Sequence, residues 1–314
     1  MTKIAVQISP EAKAAYFSDY IRVAQQELVE VIGDIPYKLI NKGALDFFEM
    51  ELNESALNKI LNLSFVQGVY AVEGELLLPL DIAADFPLHD DFIFGSKFKG
   101  KTNERLTQLL INVGLAAISA DPKQGVSLLD PMCGRATTLL WAMQYGIKAR
   151  GIEQDPKALD DIQRNLKKWS KLHRQKHKMS EGFVGGSKKN GKFLDFNAAN
   201  TSMRVVTGDA RIADQIFKKE KFDLLVSDLP YGVQHFTTEK TRNPLSVIEQ
   251  SIASWKNCLK KRGAIVLAFN SNNPKRDALV NTFENSGFLT QSFSAPHRMS
   301  ESIVRDVVIF KLKN

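Results

Sequence analysis

The sequence predicts an α/β fold: a doubly wound, mostly parallel sheet with a terminal antiparallel hairpin, preceded by a small α+β N-terminal domain. Three observations carry this. From about residue 100 onward, apolar runs of strand length alternate with longer segments of helical period, the pattern of a parallel sheet covered by helices on both faces. The last two apolar runs have no helix between them, so one of them must run antiparallel. Residues 1–95 also differ in charge, with 6 Lys/Arg against 15 Asp/Glu, whereas residues 96–314 carry 36 against 20. The two domains are therefore read as 1–95 and 96–314.

In the first domain, "KIAVQIS" alternates like a strand, and "YIRVAQQELVEVI" spaces Ile21, Ala24, Leu28 and Ile32 for one helical face. "ALDFFEMEL" is a second strand and "ESALNKILNL" a helix opening at Asn53 and Glu54. "GVYAVEGELLL" is a third strand region. The turn-rich stretch 81–100 reads as a linker. "TNERLTQLLINVGLAAISA" is a helix capped by Thr102 or Asn103. Strands "VSLLD", "ARGIE", "MRVVTGD", "FDLLVSD" and "GAIVLAFN" then alternate with helices that begin at "ATTLL", "PKALD", "ARIAD", "SVIEQ" and "PKRDA". "FLTQSFSAP" and "IVRDVVIFKL" close the fold.

A chain of 314 residues can bury two cores, and 44% hydrophobic with 25% charged residues excludes a disordered polyampholyte. No apolar run is long enough for a membrane span, and the N-terminus lacks the apolar core of a signal peptide. The two cysteines, Cys133 and Cys258, cannot build a disulfide framework or a four-thiolate metal site, so a cytoplasmic location is expected. The basic balance of residues 96–314 suggests a polyanionic partner, with nucleic acid foremost.

In a doubly wound sheet, ligands sit beyond the carboxyl ends of the strands. "DPMCGRATT" follows the first strand of the second domain, with Asp130, Cys133 and Gly134. This is a tight turn into a helix whose free N–H groups suit an anion. Glu153 and Gln154 end the second strand, and a carboxylate there can accept both hydroxyls of a ribose. Asp209 and Ala210 follow the third strand, placed for an adenine amino group. The fourth strand ends in Asp228-Leu229-Pro230-Tyr231-Gly232. A single acid at a strand end is ordinarily a helix cap. Four acids at four successive ends follow the order of a nucleoside site.

With these residues in view, the chain resembles class I S-adenosylmethionine-dependent methyltransferases of the THUMP-associated RNA guanine-N2 type. "DPMCGRAT" is similar to their Asp-Pro-x-Cys-Gly-x-Gly-Thr motif, with Ala136 at the second glycine. Gly151-Ile152-Glu153 is similar to their second motif, and "DLPYG" to Asp/Asn-Pro-Pro-Tyr-Gly, with Leu229 at the first proline. The resemblance covers about residues 96–314. It implies a Rossmann-like methyltransferase sheet and S-adenosylmethionine as cofactor. It also implies a cofactor site drawn from Thr102, Asp130, Cys133, Gly134, Glu153, Gln154, Asp209 and Ala210, and a catalytic turn of Asp228, Pro230 and Tyr231. In that turn the acid and a backbone carbonyl accept the hydrogens of an exocyclic amine, proline fixes the carbonyl, and the aromatic stacks on the base. The substrate implied is tRNA or rRNA. DNA adenine-N6 methylation and a silent RNA-binding subunit are the alternatives. The N-terminal domain vaguely resembles the family's ferredoxin-like part, while 95 residues leave the THUMP domain absent or reduced.

Four further features are weighed. Residues 164–192 carry ten Lys/Arg with interleaved Trp169, Phe183 and glycines, and are read as a helix running into an RNA-contacting loop. His173 and His177 lie four apart on that helix without an acid or thiol partner, so no metal is expected. Cys133 is read as a small packing residue rather than a nucleophile. His235 and Phe236 follow the catalytic turn and are candidates to line the base pocket.

Overall fold

The computed structural model describes residues 2–98, 101–230 and 244–313. In chain order the elements begin β1 (Thr2–Ile8), α1 (Pro10–Tyr16), α2 (Tyr20–Ile32), β2 (Tyr37–Lys42), β3 (Leu45–Leu52), α3 (Glu54–Ile60), β4 (Val66–Glu73) and β5 (Leu76–Pro79). Next come α4 (Asp91–Phe94), α5 (Glu104–Ala117), β6 (Ser127–Asp130), α6 (Thr137–Gln144), β7 (Lys148–Glu153), α7 (Pro156–Leu172), β8 (His177–Phe183), β9 (Lys192–Ala198) and β10 (Thr201–Thr207). The chain closes with α8 (Ala213–Phe217), β11 (Phe222–Asp228), α9 (Pro244–Cys258), β12 (Leu259–Asn270), α10 (Arg276–Asn285), β13 (Phe288–Thr290), β14 (His297–Arg298) and β15 (Val304–Leu312).

Among the described residues the strands form two sheets. The N-terminal sheet is antiparallel, in the order β2-β3-β1-β4-β5. It has two more strands than the sequence pattern predicts. β2 is an edge strand with mostly exposed side chains, so hydrophobic alternation could not mark it. The "GVYAVEGELLL" region folds back at Gly74, whose φ of +60° suits glycine, into β4 and β5.

The second sheet runs β13-β15-β12-β11-β6-β7-β10-β9-β8, with β14 paired to β15. Strands β12, β11, β6, β7 and β10 are mutually parallel, and β15 is antiparallel to both β12 and β13. The parallel order reverses between β6 and β11, which is the switch point where such folds open a ligand crevice. Alternation along the strands builds the two faces. Leu224 and Val226 join one core with α5, α6 and α7, while Leu225 joins another with Ile252, Trp255, Leu279 and Phe283 of α9 and α10.

The first of these cores continues into the N-terminal unit, through Ile4, Val6, Leu28 and Phe65. A buried polar node lies in the same region. Glu27 accepts from Ser64 N at 2.9 Å and from Asn112 Nδ2 at 2.7 Å, and Tyr145 donates to Asn112 Oδ1 at 2.7 Å. Burial raises the Glu27 pKa, with those hydrogen bonds pulling the other way.

The basic stretch differs from its expectation. Helix α7 stops at Leu172, and residues 177–198 form an antiparallel hairpin that extends the sheet past β10. His177 therefore lies on β8 and does not share a helical face with His173. Trp169 is also not presented at the surface: the residue is 6% exposed and its Nε1 donates to Asn165 Oδ1 at 2.8 Å and Ser96 Oγ at 3.0 Å. No described helix is long and apolar enough to cross a membrane.

Candidate active site

The carboxyl ends of β11, β6, β7 and β10 stand side by side, so the acids read from the sequence reach one edge of the sheet. Asp130 ends β6, opposite Gly151 of β7. It is 1% exposed, and its Oδ1 accepts from Met132 N at 3.0 Å and from Ser227 Oγ at 2.8 Å. Burial pushes its pKa up to about 7, against the hydrogen bonds that favour its charge. Asp130 thus ties the β6 turn to the end of β11 from beneath.

The turn after Asp130 is built by backbone bonds. Cys133 N donates to the Ile152 carbonyl at 2.9 Å, and Ala136 N donates to the Cys133 carbonyl at 2.8 Å. The Cys133 thiol is buried, and burial lifts its pKa well above the usual thiol range, which suits packing and not nucleophilic attack. Gly134 has φ +54°, and a Cβ built there would meet only open space. Ala136 also takes the left-handed conformation, φ +65°, as N-cap of α6. Its methyl group is fully buried and so does not occupy the open side of the turn.

Glu153 ends β7. Its Oε2 accepts from Gly134 N at 2.9 Å and its Oε1 from Asp155 N at 2.8 Å. Burial raises its pKa, countered by these two backbone bonds. Each oxygen keeps a further acceptor site, enough for two hydroxyl donors. Gln154 beside it is exposed. Past β10, Gly208 N donates to the Glu153 carbonyl at 3.0 Å. Asp209 caps a short turn and is gripped by Arg211, whose Nη2 lies 2.7 Å from Oδ2. Burial alone would raise the Asp209 pKa, but the Arg211 bonds outweigh it and hold it low. Ala210 is half-buried, and its carbonyl accepts from Trp255 Nε1 at 3.0 Å. Thr102 is half-buried just before α5, which is capped by Asn103 through Leu106 N at 2.9 Å.

Asp228 ends β11, paired with Ala268 of β12, and its side chain is 7% exposed. Leu229 N donates to the Ala268 carbonyl at 2.9 Å, and its side chain is buried. A proline at 229 would lack this bond, so leucine holds the turn by a hydrogen bond where the resembling motif uses a ring. Pro230 follows, half-buried. Tyr231, Gly232, His235 and Phe236 lie outside the described residues.

Sequence reading missed Arg305, whose Nη2 lies 3.3 Å from Asp228 Oδ2. The available signal was a charged Arg305-Asp306 pair inside the apolar strand "VRDVVIF". It also missed the acid beside His173. Asp91 Oδ2 lies 2.8 Å from His173 Nε2, and His89, Asp91 and His173 place ligand-type atoms within 4.8 Å of one another. The two imidazoles stack at 3.5 Å and 10°, and Asp91 N donates to His89 Nδ1 at 3.1 Å.

The open side of Gly134, a carboxylate with spare acceptors at Glu153 and an exposed neighbour at Gln154 fit the nucleoside end of S-adenosylmethionine. Residues 106–287, more than half of the chain, match the family described as UPF0020: RMKL-like, methyltransferase domain. Among solved structures, TrmN from Thermus thermophilus is similar over 88% of this chain at 16% identity and a TM-score of 0.47. The present chain spans 60% of the length of that protein. A precorrin-6y C5,15-methyltransferase from Geobacter metallireducens is similar at 16% identity, over 70% of this chain and 94% of that one, with a TM-score of 0.42. A methyltransferase from Pyrococcus furiosus is similar at 15% identity, over 70% of this chain and 91% of that one, also at 0.42. The sequence finds no match among curated proteins.

Proposed function

The chain belongs to the UPF0020 family of RMKL-like methyltransferase domains, and we propose that it transfers a methyl group from S-adenosylmethionine to an exocyclic amino group of an RNA base. Guanine N2 is favoured over adenine N6, in tRNA or rRNA. One observation carries the reading: Asp228 and Pro230 stand at the sheet's switch point, beside the open glycine turn whose N–H is held by Glu153.

When bound, S-adenosylmethionine would supply an electrophilic methyl group on a sulfonium centre, so that the N–C bond forms as the S–C bond breaks, S-adenosylhomocysteine leaves, and one amine proton passes by way of the Asp228 carboxylate to solvent. An exocyclic amine is a poor partner for it because its lone pair is delocalised into the ring. The Asp228 carboxylate accepts an amine hydrogen and draws that nitrogen toward a tetrahedral shape. Pro230 restricts the backbone of the turn, whose carbonyl takes the second hydrogen. Tyr231 serves as a stacking face for the base. Glu153 would orient the ribose of the bound cofactor, Asp209 and Ala210 would receive its adenine, and Thr102 would serve its methionine end. Asp130 and Cys133 shape the turn from below.

The RNA part of the proposal rests on the β8–β9 hairpin. β9 runs antiparallel to β10 with Phe193 opposite Val206, so the hairpin tip lies at the same sheet edge as the acids. Gly191 at that tip is so close to Thr207 that a Cβ would fall 2.0 Å from its carbonyl oxygen. Lys188 and Lys189 are exposed there, with Lys188 Nζ 5.9 Å from the exposed Phe183 ring. A cationic, aromatic-bearing tip beside the site suits a single-stranded or splayed RNA segment. The silent-subunit alternative leans on Ala136 and Leu229, and both are accommodated without obstructing the turn. The two-domain division at 95/96 and a cytoplasmic setting, suited to two buried free cysteines, belong to the same proposal.

The test is nucleoside mass spectrometry of total RNA and DNA from a strain lacking the gene. One N2-methylguanosine should be lost, restored by the wild-type gene and not by Asp228→Ala. Unchanged RNA nucleosides would refute the RNA substrate, and loss of a DNA methyladenine would select the alternative. Restoration by Asp228→Ala would remove the acid from the chemistry.

A further inference from the structure

Two charges are buried together at the switch point. Arg305 lies on β15 opposite Asn270, the last residue of β12, and its side chain is 5% exposed. Its Nη2 reaches Asp228 Oδ2 at 3.3 Å from 77 residues away in sequence. A buried ion pair adds little net stability, because desolvating both groups offsets their attraction. Such a pair at a ligand crevice needs another account. A second carboxylate is close by, since Ser227, adjacent to Asp228, donates to Asp130. The Arg305 guanidinium is therefore a cation set beside two acids at the end of β11.

Arg305 is itself braced. β14 pairs with β15 so that His297 faces Arg305 and Arg298 faces Val304. The buried His297 ring meets the Tyr16 ring edge-on at 4.9 Å. Arg298 N donates to Asp19 Oδ2 at 3.1 Å, and Arg22 donates to the Pro296 carbonyl. The N-terminal unit thus presses on the strand pair that carries Arg305.

Resting on the reading of Asp228 as the acceptor of the target amine, we propose that Arg305 is a positioning residue for methyl transfer. Its guanidinium holds one carboxylate oxygen of Asp228 and so sets the plane in which the carboxylate meets the amine. A carboxylate offers about four acceptor sites, so a guanidinium contact does not exhaust it. The planar guanidinium fixes direction as well as charge, which an ammonium does less well.

The experiment measures single-turnover transfer of tritiated methyl from S-adenosylmethionine to total RNA of the deletion strain. Arg305→Gln and Arg305→Lys are compared in wild-type and Asp228→Asn backgrounds, with calorimetric cofactor affinity and melting temperatures alongside. Arg305→Gln should slow transfer about 10- to 100-fold, the loss of one charge-assisted bond, with cofactor affinity essentially unchanged. Arg305→Lys should recover part of that loss. In the Asp228→Asn background, Arg305→Gln should slow transfer no further, because there is no carboxylate left to orient. Equal slowing in both backgrounds would make Arg305 merely structural and overturn the proposal, as would a normal rate in Arg305→Gln. Should Arg305→Gln fail to fold, the Lys variant carries the same comparison: its slowing must vanish with Asp228→Asn or the proposal falls. Full activity of Asp228→Ala would instead strike the reading of Asp228 itself, without any change at Arg305.

Discussion

Replacing Glu153 with glutamine changes one atom and separates two jobs of this side chain. The carboxylate accepts one backbone N–H on each oxygen, from Gly134 and from Asp155. Glutamine offers one oxygen and one NH₂, so one of those donors must face another donor. An unsatisfied, largely buried N–H costs about 1–3 kcal/mol, which lowers the melting temperature by roughly 2–5 °C in a chain of this size. The hydroxyls of the cofactor ribose also lose a charged acceptor. Exchanging charge-assisted for neutral hydrogen bonds costs about 1–2 kcal/mol, or roughly 5- to 30-fold in affinity. There is a pH signature as well. Burial raises the Glu153 pKa, and hydroxyl donors favour the ionised form, so wild-type affinity should climb as pH rises through this titration. Glu153→Gln should be flat over the same range. Calorimetry with S-adenosylmethionine across pH, paired with thermal melts, reads both effects. A folded Glu153→Gln protein with wild-type affinity and the same pH dependence would refute the assignment.

Two other outcomes follow from the same edge of the sheet. Burial raises Asp130 to about 7 from an ordinary 3.8, so the stability its proton contributes is complete below about pH 4 and is lost as pH rises through 7. The loss is at most about 4 kcal/mol, and Asp130→Asn should flatten it; urea melts at pH 5 and pH 8 showing the same difference in both proteins would refute this. Neutralising Lys188 and Lys189 should lower the log–log salt dependence of RNA binding by about 1.4–1.8 units and leave cofactor affinity unchanged. Adding Lys192→Gln should add little, because its Nζ already lies 2.8 Å from Glu181; a full further unit of slope would show that this pair opens on RNA.

What was legible in the sequence was local. The strand-end acids follow apolar runs directly, so Asp130, Glu153, Asp209 and Asp228 could be placed on one edge once the strands alternated with helices. What was not legible depends on distant partners. Arg305 and Asp228 are far apart in the chain, as are His173 and Asp91. The hairpin was hidden for another reason. Its first strand is largely exposed, so no alternation of apolar residues distinguishes it from a charged helix or loop. Trp169 was misplaced because an aromatic among lysines looks like a surface contact, yet its ring fits against Gly95, where a Cβ would come within 2.4 Å of it. The N-terminal edge strand β2 escaped for the same reason as β8.

The charge asymmetry acquires a geometric meaning from the sheet order. The acidic N-terminal unit leans on β14 and β15 toward one end of the large sheet, and the basic hairpin forms the other end. The switch point lies between them. On the proposed reading, phosphate attraction would come from the β8–β9 end, while the acidic side would offer little to a polyanion. In the proposed reaction, the RNA backbone is held toward the hairpin and the target base is turned inward to Asp228. On that proposal the N-terminal unit would act on the reaction by bracing the strands that position this acid, and not by gripping the nucleic acid.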